Sequence, residues 1–240
     1  LYNRLQRKGS DSKDIHRLAA RDRHVFAALM LAHGHGDGLV TGATRKSAHV
    51  LERLNHVFDA NAQHGAVGIT ALLHKGRIVF IGDTLVHEWP NEEDLANIAE
   101  KGAKVARHMG LEPRVAFVSF STFGYPVSER AEKMQRAPDV LDARGVDFEY
   151  EGEMTVDVAL NAESQKNYPF SRLTGPANIL VVPARHSASI SVKLMQEMAG
   201  ATVIGPILTG LDKSIQICST TSTANDILNM AILAACKVGE

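Results

Sequence analysis

The sequence has only two cysteines in 240 residues, Cys218 and Cys236. That is too few for a disulfide framework and suits a reducing, cytoplasmic setting. It also lacks an excess of either charge: 26 Lys and Arg stand against 27 Asp and Glu. A nucleic-acid partner is therefore not expected, since such domains carry a basic surplus. No apolar run approaches the roughly 18 residues of a membrane span, so no membrane partner is expected. A secretory leader is missing from the opening, where Leu1 to Arg23 is polar and carries both charge signs. There is no repeat and no low-complexity segment. A Walker loop, a Gly-x-Gly-x-x-Gly fingerprint and a Gly-x-Ser-x-Gly elbow are all absent, which argues against nucleotide triphosphate, dinucleotide and serine-hydrolase chemistry. Because it begins at Leu1 rather than Met, the chain reads as a fragment of something longer.

What is present is a globular composition, 45% hydrophobic and 22% charged. The length allows one large domain or two small ones, and about 70% of the unfolded surface can be buried. Lys8-Gly9-Ser10 reads as a turn. Apolar spacing predicts a helix from Ile15 to Gly34, a short strand over Leu39–Gly42 and a helix from Ser47 to Asn61. Two β-branched runs, Gly68–Leu73 and Arg77–Ile81, flank a hairpin turn at His74-Lys75-Gly76. A helix should run from Asn91 to about His108, and Arg114–Phe120 has the continuous apolar character of a strand in a parallel sheet. Then follow a helix over Ser128–Arg144 interrupted near Pro138, an edge strand from Phe148, and a short helix at Thr155–Leu160. Strand Ile179–Val182, helix Ser189–Ala199, strand Val203–Ile207 and helix Ala224–Cys236 complete the order. Alternation throughout predicts an α/β fold with a mostly parallel sheet.

In such folds ligands bind beyond the carboxyl ends of the strands. This singles out the loops Thr41–Ser47, Ser119–Tyr125, Pro183–Ser189 and Ile207–Ser222. Arg45 and Lys46 lie in the first, at a helix start, where backbone amides and two cations would make an anion site; a solvated turn is the plainer alternative. Ser119 to Thr122 and Cys218 to Thr223 are hydroxyl runs able to donate to phosphates or carbonyls. Ser222 or Thr223 would instead cap the last helix, a role that Ser219 is too far upstream to take. His33, His35 and Asp37 on a glycine-rich loop lack the rigid scaffold of a metal site, and no metal is expected. Neither cysteine belongs to a catalytic motif.

At these loops the sequence resembles the phosphate acetyltransferase superfamily. Asp37-Gly38-Leu39-Val40-Thr41-Gly42-Ala43, Ile81-Gly82-Asp83-Thr84-Leu85-Val86, Glu112 to Ala116 with Ser119 to Thr122, Gly205 to Leu211, and Asp226-Ile227-Leu228-Asn229 are similar in order and spacing to its motifs. The nearest resemblance is to the phosphotransacetylase-like C-terminal part of large NADP-dependent malic enzymes. Tyr2 to Gly9, Thr41 to Arg45 and Lys213 to Ile217 carry that distinction. The resemblance implies two α/β subdomains, as in isocitrate and isopropylmalate dehydrogenases, with residues of about 1–150 and 151–240 contributing to them. It implies acetyl-CoA as a ligand in a cleft between them, and a homodimer within a larger homo-oligomer. It places an N-terminal malic enzyme domain, with its NADP and divalent metal, upstream.

The departures bear on chemistry. Where true transferases have a Ser-Arg-Gly segment seven residues ahead of an Asp, this chain has Ser219-Thr220-Thr221 and Asp226. The resemblance implies that the missing Arg would hold acetyl phosphate and that the Asp would take the thiol proton. Losing one preorganised stabiliser of a leaving group costs on the order of 100- to 1000-fold in rate. Phe123 and Pro176 replace family lysines, and Glu52 with Arg53 beside it stands at another family cation. The expectation is a degenerate site that binds acetyl-CoA through Arg45, Lys46, Ser121, Thr122, Ser219 and Thr220 and inhibits the parent enzyme. An active phosphate acetyltransferase is the alternative.

Overall fold

The computed structural model describes residues 1–6, 11–58 and 65–238. The turn expected at Lys8-Gly9-Ser10 and the helix end expected at Asn61 lie outside them. In chain order the elements are α1 (Tyr2–Leu5), α2 (Ser12–Arg21), α3 (Arg23–Ala32), β1 (Gly38–Gly42), α4 (Ser47–Leu54), β2 (Val67–His74) and β3 (Arg77–Gly82). Next come α5 (Glu92–His108), β4 (Arg114–Val118), α6 (Glu129–Arg144), β5 (Glu149–Met154), α7 (Val156–Leu160) and α8 (Ala162–Gln165). The order ends with β6 (Ile179–Val181), α9 (Arg185–Ala199), β7 (Thr202–Thr209), β8 (Ser214–Cys218) and α10 (Ala224–Ala235). The class is α/β, as the alternation requires.

The chain forms two compact units, one of residues 1–66 with 207–240 and one of residues 67–206. A division near residue 150 is not found, because that point falls in β5, which pairs with β4 inside the second unit. The first unit draws on both ends of the chain: β1 runs parallel to β8, from Gly38 opposite Ser214 to Gly42 opposite Cys218.

The second unit is built on a sheet ordered β5-β4-β6-β3-β2-β7. From β5 to β3 its neighbours pair in parallel, and β2 returns antiparallel to β3 through the Lys75-Gly76 turn. Both turn residues have positive φ, 47° and 74°, the twist that a two-residue hairpin favours. Strand periodicity divides the apolar side chains between two faces. Ile81, Ala116, Val118, Leu180 and Val182 join Val158 and Ala159 of α7 and Ala188 and Val192 of α9 in one core cluster. On α5, Gly102 permits close approach: a Cβ there would come 2.9 Å from Ile179 Cγ2.

Two helices differ from the sequence expectation. The run from Ile15 to Gly34 is divided at Asp22, whose Oδ1 accepts hydrogen bonds from His24 N (2.9 Å) and Val25 N (3.2 Å) and so starts α3. By contrast, α6 continues through Pro138. An internal proline costs about 3 kcal/mol, but Ala131, Met134, Ala137 and Leu141 are fully buried along this helix and their packing outweighs it.

Candidate functional site

In the first unit the parallel pairing of β1 with β8 brings two loops together at their carboxyl ends. Gly42 has φ 109°, and a Cβ there would lie 2.2 Å from the Cys218 carbonyl oxygen. Only glycine fits this approach. Ala43 N then donates to Cys218 O at 3.0 Å, with Ala43 itself at φ 61°. A non-glycine residue in this region carries strain of order 1–3 kcal/mol, a feature that clusters at ligand sites. The loop carrying Arg45 and Lys46 is thus tied to the loop carrying Ser219 and Thr220.

Arg45 and Lys46 are exposed, and among the described residues neither side chain has a hydrogen bond or ion pair. No side chain caps the N-terminus of α4 that follows them. Sequence reading missed a third cation here: Arg23 Nη2 donates to Thr44 Oγ1 at 2.7 Å. Beneath the loop His24 is buried with its Nδ1 2.7 Å from Thr41 Oγ1. Burial pushes the His24 pKa down, and Arg23, His49 and Arg45 act the same way. Arg53 is occupied elsewhere, with Nε 3.4 Å from Asp22 Oδ2 and Nη1 3.3 Å from His56 Nε2.

On the β8 side, Ser219 Oγ lies 3.0 Å from Thr221 Oγ1 and accepts from Thr221 N at 3.3 Å, which folds the loop back on itself. Thr220 is exposed. Asp226, offered by the sequence as a remnant base, sits in a capping box with Thr223: Asp226 Oδ2 accepts from Thr223 N at 2.7 Å and Thr223 Oγ1 at 2.9 Å. Of the two capping candidates, Thr223 is the N-cap. Cys218 is buried and its thiol pKa is raised, chiefly by burial, so it is a poor nucleophile.

In the second unit Ser121 and Thr122 follow β4. Ser121 is 0% exposed and its Oγ donates to Glu153 Oε1 at 2.6 Å. The same oxygen accepts from Gly124 N (3.1 Å) and Gln135 Nε2 (3.3 Å). The expectation that the Ser121 hydroxyl meets a ligand is corrected by this geometry: it shapes the loop. Thr122 Oγ1 similarly accepts from Thr155 N at 3.1 Å. Phe123, where the resemblance implies a lysine, has φ 48° and packs its ring on Tyr168 and Phe170, with centroids 5.2 and 4.8 Å away. Pro176, where the resemblance implies the other lysine, offers its carbonyl to Arg114 Nε at 2.9 Å. Asp83, at the end of β3, is buried and takes hydrogen bonds from the backbone N–H groups of Gly68, Leu85, Val86 and His87 and from His87 Nδ1 at 2.8 Å. The conspicuous Asp83-Thr84 motif is therefore a structural knot.

His33, His35 and Asp37 form no metal-binding group; no cluster of three His, Cys, Asp or Glu side chains suited to a metal occurs among the described residues. No helix of the described residues is long and apolar enough to cross a membrane.

Comparison with known proteins places the chain in a family. The sequence family described as phosphate acetyl/butaryl transferase matches residues 1–235. The NADP-dependent malic enzyme of Rhizobium meliloti (strain 1021) is 51% identical over 239 residues, 100% of this chain and 31% of that protein. The phosphate acetyltransferase of Bacillus subtilis (strain 168) is 28% identical over 97% of this chain and 72% of that protein. Among solved structures, a phosphotransacetylase from Streptococcus pyogenes superimposes with a TM-score of 0.89 at 26% identity, covering 98% of this chain and 73% of that one. The chain thus spans about a third of the malic enzyme it matches.

Proposed function

This chain belongs to the phosphate acetyl/butaryl transferase family, and from that premise we propose that it is the regulatory and oligomerisation part of an NADP-dependent malic enzyme, which makes pyruvate and CO2 from malate. In this reading it binds acetyl-CoA at a degenerate transferase site and acts as an allosteric inhibitory module. Malate turnover, with NADP and a divalent metal, belongs to an upstream domain of the parent protein. The single observation that carries the proposal is the loop pair at Gly42 and Cys218. It retains a cationic, uncapped helix start in Arg45, Lys46 and α4, yet has exposed Thr220 where the transferase has Arg. Such a loop pair suits binding of phosphates without the charge needed to stabilise a phosphate leaving group.

Inhibition requires only that acetyl-CoA bind two conformations of the parent unequally. A coupling of about 1–3 kcal/mol changes activity or affinity several-fold to a hundred-fold. The direction follows from supply: acetyl-CoA is formed downstream of pyruvate, so its accumulation signals sufficiency. The test is calorimetric titration of the chain with acetyl-CoA, followed by inhibition of the full-length enzyme. Arg45→Ala should weaken binding and raise the inhibitory concentration while leaving uninhibited malate turnover unchanged. Full-length enzyme with Arg45, Lys46 and Thr220 all altered, yet inhibited as strongly as before, would exclude this site.

The alternative is an active phosphate acetyltransferase. Retention of Ser219 and Asp226 at the family offset favours it, but the capping bonds that occupy Asp226 weigh against a free base.

A further inference from the structure

Lys133 of α6 reaches over the loops that follow β3 and β6. Its Nζ donates to Pro90 O at 3.1 Å and Pro183 O at 3.0 Å. An ammonium has three donors, so two neutral carbonyls leave one unspent. Among the described residues no carboxylate lies within ion-pair distance of it; Glu92 acts on it only from further away. Burial pushes the lysine's pKa down, as expected for a cation partly withdrawn from water. The Trp89 ring lies 5.8 Å from the same Nζ and meets His186 edge-on at 4.9 Å. Trp89 is 68% exposed, and His186 is exposed too. Nearby Arg185 is already engaged by Leu85 O at 3.2 Å and Glu88 at 3.5 Å.

A partly buried cation without a counter-charge in contact is costly, and an arriving anion relieves that cost. A lone ammonium binds phosphate as a point charge, without the bidentate fork that arginine brings to carboxylate and phosphate alike. We propose that Lys133, with His186 and the Trp89 ring, forms a phosphate-binding subsite at the carboxyl ends of β3 and β6. The ligand is a phosphate group, free or carried by a CoA thioester. The residues come from the second unit alone, so the subsite does not depend on the Arg45 loop or on the acetyl-CoA reading. The competing account is that Lys133 only staples two loops.

Trp89 is the sole tryptophan of the sequence, so its fluorescence reports on this place directly. The full chain is titrated with inorganic phosphate and separately with CoA, at an ionic strength held constant with chloride. The expected result is a saturable change whose midpoint rises about tenfold or more in Lys133→Met, the loss of one charge-assisted hydrogen bond. Lys133→Arg should stay closer to the unaltered chain, and Arg45→Ala should not move the phosphate midpoint. A response to CoA at lower concentration than to phosphate assigns the carried group; a response to phosphate alone assigns the free anion. Silence toward both, or an unchanged midpoint in Lys133→Met, overturns the subsite. If circular dichroism shows that Lys133→Met does not fold, exposed His186→Ala replaces it, and an unchanged midpoint there is equally fatal. A phosphate response that persists while acetyl-CoA fails to bind in the calorimeter would leave this subsite standing and sink the regulatory proposal alone.

Discussion

Gly42 and Cys218 end neighbouring parallel strands in such close register that a Cβ on the glycine would stand 2.2 Å from the cysteine's carbonyl oxygen. Gly42→Ala therefore meets both a backbone clash and a φ of 109°. It should destabilise the chain by about 3 kcal/mol or more and loosen the Arg45 loop from the Ser219 loop. Chemical denaturation measures the first effect and acetyl-CoA calorimetry the second. An alanine variant with unaltered midpoint and affinity would show that the two loops do not need this contact.

Catalysis should be poor. With Thr220 in place of Arg, conversion of acetyl phosphate and CoA to acetyl-CoA should be slight or absent. A coupled thiol assay giving about 10 s⁻¹ or more, the turnover of an ordinary enzyme, would establish the transferase alternative. Thr220→Arg alone should not restore full activity, because Phe123 and Pro176 also differ and Asp226 is held by Thr223.

The chain should form a two-fold dimer. α9 buries only Ala188 and Val192 while exposing Ile190, Leu194 and Met198 at helical spacing, and α10 exposes Ile227, Leu228 and Ile232. So much apolar helix surface suits association. Light scattering at tens of micromolar should give the dimer mass, and Leu194→Glu together with Leu228→Glu should lower it. A monomer of the unaltered chain at that concentration would count against the proposal.

Stability should depend on pH through His87. Its hydrogen bond to buried Asp83 raises its folded pKa above the ordinary value of about 6.5, outweighing the opposing effect of burial. The sign follows from linkage: the raised group contributes its full stabilisation below the unfolded pKa and loses it as pH rises through the folded pKa. His87→Gln should thus be most destabilised relative to the unaltered chain at mildly acid pH, with the gap narrowing as the solution becomes alkaline. Urea midpoints across that range test this; a gap that widens with pH would contradict it.

Local signals made much of the fold legible. Lys75-Gly76 marked the hairpin, the acidic run after Asn91 marked the start of α5, and the apolar run from Arg114 marked a strand covered on both faces. The misses have physical causes. Asp22 is a cap hidden inside a continuous apolar period, so one helix was expected where two exist. β8 does not show as a strand in the sequence, because buried Gln216 interrupts its apolar character; the side chain is satisfied by Leu208 N at 2.9 Å and Leu208 O at 3.1 Å, partners invisible in one dimension. The division into units was missed because β1 and β8 are far apart in sequence. The strand-end rule singles out loops but not the roles of the side chains within them. Ser121 and Asp226 belong to internal networks, while Arg23 and Lys133 arrive from other elements, where linear spacing gives no sign of them.

The composition of the first unit from both flanks of the second imposes an order on biosynthesis. A ribosome releases β1 long before β8, so the Gly38–Gly42 edge must wait without its partner while all of residues 67–206 are made. The second unit, continuous in sequence, has every strand of its β5-to-β2 ladder in hand by then and can consolidate first. The Arg45 and Ser219 loops therefore meet last, making the candidate site a late product of folding that reports on whether β8 has emerged.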